Sequence, residues 1–249
     1  MAGDWAPLAW LALLLIPLLL LTRWLSRHLQ GVGLLLSGDR QTALLVHYVV
    51  LLPGIVLHEM SHVVAAGLVG VKTKGMSLRP TTRRGGSVRF GAVTVAESDP
   101  VRESWIGLAP LLTGTAVILL LARWQFGVES LPALSPEAIW QTLLSSLQAP
   151  DALVWLYLVF VISNAMMPSE SDRQPWRSVL AFLALAAGAF YFSGLVPQIP
   201  AEVKRWVLIG VTYLTFALGL AISVDIPFAL LVLALEKVGE RILHRHVEY

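Results

Sequence analysis

The chain has 249 residues, 56% of them hydrophobic and 14% charged, with a mean hydropathy of +0.72 and a formal net charge of +2. That balance excludes a water-soluble globular domain and predicts a chain embedded in a lipid bilayer. The lack of cysteine excludes disulfides, thiolate metal sites and cysteine nucleophiles, and no basic stripe interleaved with aromatics suggests a nucleic-acid partner.

Apolar stretches long enough to span are expected near residues 6–26, 42–71, 103–123, 151–168, 178–197 and 203–223. The predicted fold is therefore a polytopic α-helical membrane protein with about six transmembrane helices. The first run has no Lys or Arg before it and no small-residue cleavage site after it, and reads as a retained span. Trp5 and Trp24 bracket this span and Trp105 and Trp124 the third, while Trp176 and Trp206 sit near the starts of the fifth and sixth. Tryptophans in those places form the aromatic belts of a membrane protein.

The second span carries His58-Glu59-Met60-Ser61-His62. On a helix, residues i and i+4 share a face, so two histidines at that spacing can grip one zinc ion, and the intervening Glu can reach a metal-bound water as general base. An ionisable side chain at mid-membrane costs about 2.5–3.5 kcal/mol on insertion scales, so three in one turn need a compensating partner, and a metal is one. His47 lies on the same face but eleven residues earlier, about 16 Å away, too far to share the ion.

Directly after this span, residues 76–80 and 87–96 alternate and are rich in β-branched side chains, and a basic glycine-containing turn, 82–86, joins them. They predict a small membrane-associated β-hairpin whose edge can take an extended substrate by strand addition. In the third span, Gly107, Pro110 and Gly114 form a small-residue segment that lets helices approach closely.

A catalytic zinc needs a third protein ligand. The end of the fourth span offers Asp172, just after Pro168, with Glu170 as the competing carboxylate. Asp225, two residues before Pro227, reads as the N-cap of a last helix, 226–245, that either spans or lies on the membrane. If the second span ends in the cytosol, twelve of the eighteen Lys and Arg residues are cytosolic; Arg23, Arg27, Arg40, Arg123, Lys204 and Arg205 are the six outside. This count predicts a metal site toward the cytosolic side. Small size and the lack of an organelle signal predict a prokaryotic plasma membrane.

HExxH in one span and, in another, an Asn followed eight residues later by an Asp resemble the site-2 proteases, a family of intramembrane zinc metalloproteases. Their later motif usually reads Asn-x-x-Pro-x-x-x-x-Asp-Gly with an apolar residue before the Asp. Here the proline is one place late, Ser171 precedes Asp172, and Arg173 replaces the glycine. The resemblance covers about residues 45–180 of a single domain over 1–249. The segment 1–40 adds a span, 178–249 adds C-terminal spans and a cytosolic or interfacial helix, and no regulatory domain is inserted.

The resemblance implies Zn2+ on His58, His62 and Asp172, and Glu59 as the catalytic base. It makes Asn164 a substrate-orienting or site-stabilising residue. It also likens the hairpin to the family's membrane-associated sheet, with Val88, Phe90, Val93 and Val95 as the substrate-binding positions. The implied partner is a transmembrane segment of another protein within the lipid bilayer. Two other readings remain open from the residues: a metal transporter, and a zinc-binding scaffold that does not hydrolyse peptides.

Overall fold

In hydrocarbon every backbone N–H and C=O must find its partner within the chain, so long apolar runs fold as helices. The computed structural model describes residues 6–82, 88–126, 136–148, 150–194 and 200–244. In chain order its elements are α1 Ala6–Ser37, α2 Arg40–Leu68, β1 Thr73–Thr82, β2 Val88–Val95, α3 Pro100–Trp124, α4 Pro136–Ser146, α5 Ala152–Met166, α6 Glu170–Arg173, α7 Trp176–Phe192 and α8 Ala201–Leu243. Among the described residues five helical segments are long and apolar enough to cross a membrane: α1, α2, α3, Glu170–Phe192 and α8. The 15 residues of α5 rise only about 22 Å, against a hydrocarbon core of about 30 Å.

Local chemistry fixes the boundaries. Only Gly38 and Asp39 separate α1 from α2; Gly38 takes a left-handed φ of 68° and Asp39 caps α2 by accepting from the Thr42 N–H at 2.8 Å. That bond holds the exposed Asp39 carboxyl below the usual carboxylate range. Asp99 caps α3 in the same way, with Pro100 in the first turn, where its missing N–H costs nothing. The first span runs on to Ser37 instead of ending near residue 26, and α4 lies outside all of the expected spans.

The C-terminal part corrects one expectation outright. Asp225 is not an N-cap: α8 runs unbroken from Ala201 to Leu243, through Pro227, and Asp225 is fully buried in its middle. Pro227 removes one N–H from the ladder, and a true break would orphan several more groups in an apolar setting. Two contacts set α8 beside α1 in parallel register. Thr215 Oγ1 reaches the Pro7 carbonyl at 3.5 Å, and His28 Nδ1 meets Glu236 Oε2 at 2.5 Å; both pairs are 208 residues apart in sequence. Leu18 and Leu25 of α1, Ile118 of α3, Val159 and Val161 of α5 and Phe216, Leu218 and Leu220 of α8 fill the shared core.

The two strands pair antiparallel, from Thr73 opposite Val95 to Thr82 opposite Val88. The predicted turn between them lies largely outside the described residues. Strand β2 lies along α2, since the Phe90 ring meets the rings of His47 at 4.9 Å and Tyr48 at 6.1 Å. Helix α7 is loosely held: none of its residues is buried, and its main neighbour is α3.

The charge count also needs correction. Arg23 lines the same cavity as Arg173 and Arg177, so these arginines cannot lie on opposite faces of a bilayer about 30 Å thick. Because α1 continues past residue 26, Arg23 is a mid-helix residue and not the start of an outer loop.

Candidate metal centre

His58 and His62 lie one turn apart near the end of α2, and their side chains converge. Each ring is oriented by a backbone carbonyl from another helix. His58 Nδ1 is 2.6 Å from the Ala165 oxygen of α5, and His62 Nδ1 is 2.9 Å from the Ile106 oxygen of α3. A carbonyl only accepts, so both Nδ1 atoms carry the proton and both Nε2 atoms present lone pairs. Those two Nε2 atoms face each other at 3.2 Å.

Both carbonyls are free for a reason written in the sequence. In a helix the Ile106 carbonyl would accept from the N–H of residue 110, and Pro110 has none. The Ala165 carbonyl belongs to the last turn of α5, where no intrahelical donor follows. The residue four places on, Ser169, gives its N–H to Asp172 Oδ2 at 2.7 Å.

That same bond places Asp172. Ser169 caps α6, and the Asp172 side chain returns to the Ser169 N–H while the Asp172 N–H reaches Ser169 Oγ, a reciprocal capping box. The carboxylate then lies 3.6 Å from His58 Nε2 and 3.5 Å from His62 Nε2. Glycines let the backbones come this close. A Cβ on Gly107 would strike the Asp172 carbonyl, and one on Gly54 would strike that of Val161. One on Gly114 would lie 2.5 Å from Met166 Cβ.

The three donors fit a metal. Ligands about 2.0–2.2 Å from a tetrahedral ion are separated from each other by roughly 3.3–3.5 Å. Here the two Nε2 atoms are 3.2 Å apart, Asp172 Oδ1 is 3.5 Å from His62 Nε2 and the other oxygen, Oδ2, is 3.6 Å from His58 Nε2. With one donor atom taken from each residue, all three lie within 4.8 Å of one another. His58, His62 and Asp172 are the group that could hold an ion among the described residues, and Glu170 is not part of it. Glu170 turns to the opposite side of α6, into the cavity lined by Arg23 and Arg177.

Glu59 is buried beside the histidines at 5% exposure, under β2. Gly91 makes that contact possible: its φ is +121°, and a Cβ there would lie 2.6 Å from Glu59 Oε1. Beside the centre opens a cleft of about 520 Å3 whose lining includes His62, Asp172, Val93, Val95, Glu103 and Gln174. Of the four strand residues named from the sequence, Val93 and Val95 thus border the cleft, whereas Phe90 packs on α2. The side chain of Val88 lies outside the described residues.

Asn164 turns toward the core. Its Nδ2 donates to the Phe160 carbonyl at 2.8 Å and lies 3.3 Å from Asp225 Oδ1. Ser163 Oγ, 2.7 Å from the same oxygen, ties α5 to α8 two residues before Ala165, whose carbonyl orients His58. The signal for this link was an acid inside an apolar run, visible in the sequence but assigned to a cap. His47 is buried, with its ring on Phe90. Comparison with family models, curated proteins and solved structures found no match to this chain.

Proposed function

We propose that the protein is an intramembrane zinc metalloprotease that hydrolyses peptide bonds in or near transmembrane segments of other membrane proteins, in a prokaryotic plasma membrane. One observation carries the reading. Two imidazole lone pairs, each fixed by a backbone carbonyl, face each other at 3.2 Å with a carboxylate 3.5–3.6 Å from both. Without a metal one Nε2 must take up a proton to relieve the contact between the two nitrogens; with a metal both lone pairs can bind the ion, and the hydrogen bonds that orient the two rings are already made.

His58, His62 and Asp172 would hold the zinc, which when bound supplies a Lewis acid that brings the pKa of a coordinated water to about 7 and polarises the scissile carbonyl. Glu59 accepts the proton of the attacking water and delivers it to the leaving amine. Burial under β2 keeps that carboxylate in a dry setting, and the cleft at Val93 and Val95 receives the substrate. A helical substrate hides its carbonyls in its own hydrogen bonds, so it must unwind first. An open strand edge beside the metal gives the unwound segment backbone partners.

The Glu59→Gln variant keeps the shape of the side chain and loses the base. It is expected to retain zinc while cleavage of a detergent-solubilised transmembrane substrate falls by about 100-fold or more. Cleavage at the wild-type rate by the zinc-loaded variant contradicts the assignment and leaves the scaffold reading.

A further inference from the structure

Two adjoining cavities lie at the start of α7; the first shares Ser171 and Gln174 with the cleft beside the candidate metal centre but contains none of its three residues. The first, about 960 Å3, is lined by Arg23 of α1, Arg173 of α6 and Arg177 of α7, with Glu170 as its one carboxylate. Among the described residues none of the three guanidiniums has a carboxylate within ion-pair distance. The second, about 520 Å3, is a groove between α3 and α7 walled by Val69, Trp105, Leu108 and Val179. Its nearby charge, Arg102, is engaged with Asp99 at 3.2 Å. Trp176 and Leu180 line both cavities and join them. Trp105 and Leu180 remain 51% and 62% exposed, large apolar walls that no protein element covers.

We propose that this pair of cavities is a binding site for an anionic phospholipid, its phosphate on Arg23, Arg173 and Arg177 and an acyl chain along the α3–α7 groove. Guanidinium groups pair with phosphate through paired hydrogen bonds, and basic pockets between membrane helices suit anionic headgroups. Trp176 stands at the junction of the basic and apolar halves, where an amphipathic ring belongs. A soluble phosphate would use only the basic half; the continuous apolar groove selects an amphiphile. The assignment is independent of whether zinc binds.

The test is native mass spectrometry of the full chain in detergent, with phosphatidylglycerol or phosphatidylcholine of matched acyl chains. Wild type is compared with an Arg23→Gln/Arg173→Gln/Arg177→Gln variant and with a charge-matched control, Lys204→Gln/Arg205→Gln/Arg241→Gln. The expected result is a preference for phosphatidylglycerol of about tenfold or more in wild type and the control, lost in the first variant and unchanged by millimolar inorganic phosphate. The single Arg23→Gln change, on a separate helix, is expected to lower the preference and guards against misfolding of the triple variant. A preference that survives the triple change, or falls equally in the control, overturns the proposal. Displacement of the lipid by inorganic phosphate overturns it in favour of a soluble phosphate ligand.

Discussion

At the scale of single residues, the centre depends on two prolines that act by withholding a hydrogen bond. Pro110 leaves the Ile106 carbonyl without its helical donor, and that carbonyl sets the tautomer of His62. Pro168 helps end α5, so the carbonyl of Ala165 stays available for His58. Pro110→Ala restores a helical N–H that competes for the Ile106 oxygen. Zinc affinity, measured by chelator competition, is expected to fall by about 10- to 100-fold, the usual effect of losing an outer-shell partner. Unchanged affinity would remove Ile106 from the account. The paired histidines were legible because their spacing is local and implies its own geometry. The carbonyls that orient them were not, because a backbone oxygen has no signature of its own and Pro110 reads only as a packing residue until its neighbour across the helix interface is known.

At the scale of elements, α2, α3, α5 and α6 meet at the centre, and α8 enters through Asp225. The sequence located α2, α3 and the hairpin closely because hydrophobic runs and turn residues bounded them. It misread the stretch around Asp225 for a physical reason. An acid two residues before a proline is the pattern of a helix start in water, but inside a packed apolar helix the acid found Ser163 and Asn164 as partners and the proline became one missing bond. Asp225→Asn keeps an oxygen for Ser163 and is expected to lie within about 1 kcal/mol of wild type in reversible unfolding in detergent. Asp225→Ala deletes the link and is expected to cost roughly 1–2 kcal/mol, the scale of an interhelical hydrogen bond in membrane proteins. Equal stability of all three proteins would show that the link holds nothing.

At the scale of the whole molecule, five long apolar helical segments and a short α5 surround a candidate centre whose three residues come from two separate stretches of chain: His58 and His62 of α2 and, 110 residues beyond His62, Asp172 of α6. A metal that binds only this folded arrangement stabilises it by mass action, about 4 kcal/mol at a thousandfold excess over its dissociation constant. Zinc is therefore expected to raise the melting temperature of wild type and leave that of His58→Ala unmoved; a shift common to both would place the ion elsewhere. The depth of the centre relative to the bilayer was beyond a count of basic residues, because Arg23 belongs to a helix interior and shares a cavity with Arg173 and Arg177.

The central claim is that His58, His62 and Asp172 together hold one zinc ion, and metal content addresses it most directly. Mass spectrometric metal analysis of detergent-purified wild type, Asp172→Ala and Glu170→Ala is expected to give about one zinc per chain in wild type and Glu170→Ala, and loss in Asp172→Ala alone. Zinc retained in Asp172→Ala, or absent from wild type even after it is added back, would contradict the account.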